Sequence, residues 1–323
     1  MKSYRIVFMG TPEFAVPAFE ALCDAGHAVV AAVTQPDRPA GRGLQPTPPA
    51  VKTAALRRGV PVQQPATLRH PEAVEAIRAL EPDFLVVAAY GEILSRAVLA
   101  IPAVAPLNVH ASLLPRLRGA SPIHHAILAG DPETGITIMR IARKLDAGDI
   151  LLQAREPIGP RDTAGTLHDR LARIGAACIV QALERFERGE AAFTPQDDAL
   201  STYAPQLTRE MGRLDWSRTA DELDRFVRGL NPWPAAFTLF RGETVKVWEA
   251  APLGGPGATP PPGLPDGPAS PGELLPRGDH LLVVCAEGTC LEILRLQLPG
   301  RRAVTGAEFA RGARVAPGER FGG

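Results

Sequence analysis

Asn108 and His110 stand two residues apart in the stretch Asn108-Val109-His110-Ala111-Ser112-Leu113-Leu114-Pro115-Arg116-Leu117-Arg118-Gly119, and Asp146 follows in Leu145-Asp146-Ala147-Gly148-Asp149. An asparagine carboxamide is a neutral donor that can stabilise a tetrahedral oxyanion. A histidine titrates near neutrality and can carry protons. A nearby carboxylate can orient that imidazole and favour its charged form. No serine or cysteine is clearly set up as a nucleophile. Ser112 is the local candidate, and it sits in a Ser-Leu-Leu-Pro turn where backbone contacts suffice. The chemistry that fits is proton transfer around a developing oxyanion, with the attacking amine brought by the substrate. Each residue alone has a plainer role. A single histidine is commonly a structural hydrogen-bonder, and Asp146 can be a turn residue.

Alternate side chains of a strand share a face, so residues 105–109 must form a strand for Asn108 and His110 to act together. Before it, Asp83-Phe84-Leu85-Val86-Val87-Ala88-Ala89 is a continuous apolar run, as in a strand buried on both faces. Pro115 and Gly119 then break regular structure and open a loop. Open α/β sheets place their ligand sites where such strands end.

The start of the chain fits the same plan. Residues 5–9 read as a strand, Thr11 as an N-cap with Pro12 at the first helical position, and residues 28–33 as a second strand. Strand, helix and strand in this order argue a right-handed parallel crossover. Residues 35–49 are rich in proline and glycine, a long loop of the kind that is functional or disordered. Helices are expected over 50–58, 71–80 and 163–188, the last with a threonine cap, and a strand over 136–141. From residue 208 onward the pattern changes to short strands, at 237–240, 245–250, 281–285 and 291–296, after a helix near 220–230. Residues 252–276 read as a flexible, proline-rich surface excursion. The fold class is therefore α/β: a Rossmann-like, parallel-sheet domain over 1–190, a linker over 191–207 and a small β-rich domain, barrel-like, over 208–323.

Lys and Arg number 35 and Asp and Glu number 35, so no global field draws polyanions and any nucleic-acid contact must be a local basic patch. Lysine occurs only at Lys2, Lys52, Lys144 and Lys246. The arginine excess suits bidentate phosphate contacts, and a compositionally biased genome produces the same skew. No apolar run is long enough to span a bilayer, and the start carries no leader pattern. Cys23, Cys178, Cys285 and Cys290 have unpaired spacings and read as reduced thiols of a cytoplasmic protein. No metal-ligand pattern occurs, and the G-x-G-x-x-G fingerprint is missing after the first strand, so neither a metal nor a nicotinamide cofactor is expected. Nothing demands an oligomer, and a monomer is expected.

The run 108–119, continued by Ala120-Ser121-Pro122-Ile123 and joined by Leu145-Asp146-Ala147-Gly148-Asp149, closely resembles the folate-dependent formyltransferase family. Met9-Gly10-Thr11-Pro12-Glu13-Phe14-Ala15, Thr34-Gln35-Pro36-Asp37-Arg38-Pro39-Ala40-Gly41-Arg42-Gly43, Asp215-Trp216-Ser217, Asn231-Pro232-Trp233-Pro234 and Val245-Lys246-Val247-Trp248 resemble its methionyl-tRNA branch, in order and over nearly the full length. The resemblance implies a C-terminal barrel similar to an OB-fold. It implies that Asn108, His110 and Asp146 are the catalytic trio, and that Ser112, Leu113, Leu114 and Pro115 lie against the folate. The implied donor is 10-formyltetrahydrofolate and the implied acceptor is initiator methionyl-tRNA. Arg38 and Arg42 in the proline-rich loop, and Arg301 and Arg302 after Leu298-Pro299-Gly300, would contact the tRNA; exposed loop arginines with no such role are the plainer reading. Leu44 and Gln45 stand where lysines follow the second glycine in one familiar form of that loop. Residues 38–43 are expected to lack order without tRNA. A formyltransferase acting on an amino-sugar nucleotide would share the trio, and a non-catalytic RNA-binding protein is the other alternative. The arginine loop and the pair Arg301-Arg302 weigh against the first, the intact trio against the second.

Overall fold

The computed structural model describes residues 2–40, 45–253, 270–316 and 318–322. The chain divides into two compact units, one built from residues 1–122, 133–157 and 168–204, the other from 123–132, 158–167 and 205–323.

The strands of the first unit are β1 (Arg5–Gly10), β2 (Ala28–Val33), β3 (Arg38–Ala40), β4 (Gln45–Thr47), β5 (Val62–Gln63), β6 (Phe84–Ala88), β7 (Ala105–His110), β8 (Arg118–Gly119), β9 (Glu133–Arg140), β10 (Ile150–Pro157) and β11 (Tyr203–Ala204). Seven of them form one sheet in the order β10-β9-β7-β6-β1-β2-β5. The five from β7 to β5 run parallel, and β9 and β10 add antiparallel strands beside β7. β6 is buried at every position, as its unbroken apolar sequence requires. Ile6, Phe8, Phe84 and Leu107 are each fully buried, and side chains of this size contribute about 1.5–3 kcal/mol apiece when removed from water. The long helix Ala164–Glu187 begins after Thr163, whose Oγ1 accepts from Thr166 N at 3.2 Å, the expected cap.

Thr11 caps no helix. β1 is followed by a 3-10 turn, Glu13–Ala15, entered through an extended Pro12 without a side-chain cap. The Thr11 hydroxyl donates instead to Tyr90 O at 2.9 Å and accepts from Gln35 N at 3.3 Å. It thereby ties together the chain just beyond the C-terminal ends of β1, β6 and β2. The Thr11 hydroxyl is thus committed to the backbone of neighbouring segments and caps nothing in its own next turn.

The proline-rich loop is also more regular than its composition suggests. β3 and β4 pair antiparallel, Arg38 opposite Thr47. Residues 38–40, expected to lack order, form a strand, and residues 41–44 lie outside the described residues. Within 191–207, the stretch expected to be a linker, the chain up to Ala204 groups with the first unit: Thr194 bridges Ile150, and β11 pairs in parallel with β8.

The second unit holds β12 (Ala236–Phe240), β13 (Glu243–Leu253), β14 (Leu274–Arg277), β15 (His280–Val284), β16 (Cys290–Gln297) and β17 (Val304–Thr305) in one antiparallel sheet, ordered β12-β13-β16-β15-β14 with β17 on β16. Register shifts in β13 between Val247 and Ala250 bend the sheet. The chain's last residues span its two edges: Gly322 N donates to Leu239 O at 2.9 Å, and Leu274 N donates to Glu319 O at 2.8 Å. Trp216, Phe240, Phe309 and Phe321 fill the core this encloses. The proline-rich excursion is narrower than expected, because Pro252 and Leu253 belong to β13 and Leu274 to Pro276 to β14. Residues 254–269 lie outside the described residues.

Candidate active site

β7 carries both Asn108 and His110 at its C-terminal end, between β6 and β9. His110 is buried, at 6% exposure. Asn108 is half-buried, and its carboxamide forms no hydrogen bond with any described residue. Leu117 and the two residues of β8 then organise the site. Leu117 O lies 3.0 Å from His110 Nε2. A carbonyl only accepts, so Nε2 carries the hydrogen of this bond and Nδ1 is the ring nitrogen left to exchange a proton. Arg118, only 5% exposed, turns its side chain to Gln196 and Asp198. Gly119 N donates to Asp146 Oδ2 at 2.8 Å. Asp146 Oδ2 is also 3.7 Å from His110 Nδ1, beyond hydrogen-bond length and within ion-pair distance.

Asp146 occupies the loop between β9 and β10 with φ 47°, a left-handed conformation that aspartate tolerates better than most residues. The structure thus sets His110 beside Asp146, from two segments distant in sequence, with Asn108 two residues before His110 on the same strand.

The Ser-Leu-Leu-Pro segment is held from β9 and β10. Thr137 Oγ1 donates to Ser112 O at 2.6 Å and accepts from Leu114 N at 3.2 Å, while Gln153 Nε2 donates to Leu114 O at 2.9 Å. Ser112 is 1% exposed and its hydroxyl donates to Arg116 O at 2.7 Å. That bond is the backbone contact expected of the turn. Leu113 and Pro115 remain half-buried, so each keeps apolar surface open to solvent.

A family model described as "Formyl transferase" matches residues 4–183, and one described as "Formyl transferase, C-terminal domain" matches residues 206–314. The chain belongs to the formyltransferase family. A methionyl-tRNA formyltransferase of Geotalea uraniireducens is 43% identical over 322 residues, covering 100% of this chain and 99% of that protein. One of Pseudomonas entomophila is 47% identical over 320 residues, covering 99% and 98%. HypX from Aquifex aeolicus, solved in complex with tetrahydrofolic acid, matches with a TM-score of 0.60 at 19% identity, over 96% of this chain and 47% of HypX. That similarity concerns the fold, and this chain spans about half of HypX.

Arg38 is exposed and its Nη2 donates to Gln35 Oε1 at 3.1 Å. Arg42 lies outside the described residues. Arg301 and Arg302 are exposed in the second unit, lining a shallow recess with Leu298 and Phe309. Among the described residues no group of three or more His, Cys, Asp or Glu side chains could hold a metal, and no helix is long and apolar enough to cross a membrane. All four cysteines are free; burial pushes the Cys178 thiol up to about 11 and the Cys285 thiol up to about 12.

Sequence reasoning missed Gln196. Its Nε2 donates to Asp146 O at 2.8 Å and to Gly148 O at 2.7 Å. Asp198 was missed too. Its carboxyl is held below the usual carboxylate range by Lys144 first and Arg118 second, at 2.6 and 2.7 Å. Neither residue belongs to a local motif, and only the tertiary fold reveals what they reach.

Proposed function

We propose that this formyltransferase moves the formyl group of 10-formyltetrahydrofolate to the α-amino group of initiator methionyl-tRNA, giving formylmethionyl-tRNA and tetrahydrofolate. The observation that carries this reading is the match to methionyl-tRNA formyltransferases along essentially the whole chain, at 43% and 47% identity. The methionyl amine attacks the formyl carbon directly, and a C–N bond forms while the carbonyl oxygen becomes an oxyanion. The unpartnered Asn108 carboxamide donates to that oxyanion. His110, through Nδ1, takes the proton the amine sheds and returns it to the departing N10 of the folate, whose bond to the formyl carbon breaks. Asp146 steadies the positive charge on the ring while it holds that proton.

The open apolar faces of Leu113 and Pro115, with Leu145 beside Asp146 at 47% exposure, suit a flat aromatic ring, and Ser112 to Pro115 would lie against the folate. Residues 208–323 would follow the tRNA backbone through Arg301 and Arg302, and the loop bearing Arg38 and Arg42 would reach its acceptor end. The enzyme would act as a monomer in the cytoplasm, where initiation uses its product.

The test is formyl transfer to charged initiator methionyl-tRNA by wild type, Asn108→Ala, Asp146→Asn and Arg42→Ala. Asn108→Ala and Asp146→Asn are expected to lose about 10²–10³-fold in kcat, and Arg42→Ala to fail mainly through the KM for tRNA. Consumption of the donor only with some other amine would remove the tRNA assignment and leave the formyl chemistry standing.

A further inference from the structure

We infer that Gln196, oriented by Arg118, is a positioning residue that holds the Asp146 loop in its working geometry. The inference rests on the reading of Asp146 given above. The loop leaves the sheet after β9 and rejoins it at β10, closed by Arg140 N donating to Asp149 O at 2.9 Å. Inside it, Ala147 N donates to Lys144 O at 3.3 Å. Such a span, with Asp146 at positive φ, needs outside support to keep one conformation.

Gln196 supplies that support from a segment far along the chain. The two hydrogens of its amide meet the two carbonyls of Asp146 and Gly148, at 2.8 and 2.7 Å. Its Oε1 accepts from Arg118 Nε at 3.1 Å and from Arg118 Nη2 at 2.8 Å. A guanidinium has donors only, so it accepts no approach by the amide nitrogen. Arg118 therefore dictates which way the Gln196 amide faces, and the nitrogen must point at the loop. Arg118 is itself fixed by burial and by Asp198 Oδ1 at 2.7 Å, and Asp198 Oδ2 grips Lys144 of the same loop at 2.6 Å. The backbone of the next residue, Gly119, holds the Asp146 carboxylate. The Asp146 main chain and its side chain are thus held by adjoining parts of one assembly.

Gln196→Met keeps the side chain's length and removes its two bonds to the loop carbonyls and its two from Arg118. Gln196→Glu keeps the acceptor for Arg118 but sets an oxygen against the two loop carbonyls, and serves where the Met variant does not fold. Each is expected to lower kcat on the order of 10²-fold, as for an angstrom-scale misplacement, with KM for both substrates changed less than about twofold. Single-turnover rates are then compared for Asp146→Asn and for Asp146→Asn combined with Gln196→Met. If Gln196 acts through Asp146, the second substitution adds little to the first. A wild-type kcat in both Gln196 variants, a loss that tracks the unfolded fraction, or losses that simply multiply would overturn the inference while Asp146→Asn still reports a catalytic Asp146. Near-normal turnover by Asp146→Asn would overturn this inference and the catalytic reading together.

Discussion

His110 and Asp146 face each other through Nδ1 and Oδ2 at 3.7 Å, while the other ring nitrogen of His110 is bonded to Leu117 O at 3.0 Å. The carbonyl fixes the ring orientation, and the carboxylate stands beside the nitrogen that remains available. Nitrogen-15 spectra of the free enzyme, at a pH where the ring is neutral, should therefore show the hydrogen on Nε2. A neutral ring protonated on Nδ1 would contradict the bond to Leu117 and with it the route of the proton.

Gly119 makes the second prediction. Its φ of 118° is unfavourable for any side chain, and a Cβ there would stand 2.5 Å from Ala204 O. Gly119→Ala must shift the β8 backbone, and with it the N–H that holds Asp146. We expect at least a tenfold fall in kcat, the effect of a modest misplacement, together with a lower Tm. Gly189→Ala, at φ 71° with no atom near the added Cβ, is the matched control. It should cost about 1 kcal/mol of stability from the left-handed backbone alone and leave kcat unchanged.

The placing of Asn108 and His110 on one strand was legible because they stand two apart, and the apolar run before them reads as the buried strand that β6 is. The two parallel strands at the start and the threonine cap of the long helix were legible for the same reason: their determinants are local. Thr11 was misread because its partners, Tyr90 and Gln35, come from segments just beyond the ends of other strands. Gln196 was invisible because a glutamine between two elements has no pattern until the fold brings Asp146 to it. The helix Gly306–Gly312 went unread although Thr305 and Glu308 form a capping box, a signal that lay in the sequence.

Two such boxes give a pH prediction. Glu222 and Glu308 are held below the ordinary 4.5 by backbone hydrogen bonds from Thr219 and Thr305 first, and by the hydroxyls of the same residues second. A carboxylate depressed in the folded state stabilises above its unfolded pKa, and that contribution disappears as the pH falls through the folded value. Glu222→Gln and Glu308→Gln should accordingly lower the urea midpoint of the second unit at pH 7. The difference from wild type should shrink below about pH 4, where glutamates become protonated. A difference that is constant from pH 7 to pH 3 would show that the ionised carboxylates contribute nothing.

Arg301 and Arg302 yield the last prediction. They are exposed on the turn after β16, and this turn is already held without their side chains: Arg301 N donates to Leu298 O at 3.2 Å, and Arg301 O accepts from Gln297 Nε2 at 2.7 Å. Replacing either side chain should therefore leave the turn in place, so a change in activity reports contact with substrate. If they meet tRNA phosphates, Arg301→Ala and Arg302→Ala raise KM for tRNA, leave KM for the folate donor and kcat at wild-type values, and reduce the slope of log affinity against log salt by about 1 for each contact removed. The slope is the deciding quantity, since a solvated arginine that merely faces the RNA releases no counterion when it is removed. An unchanged slope in both variants would move the tRNA-binding surface to other residues of the second unit.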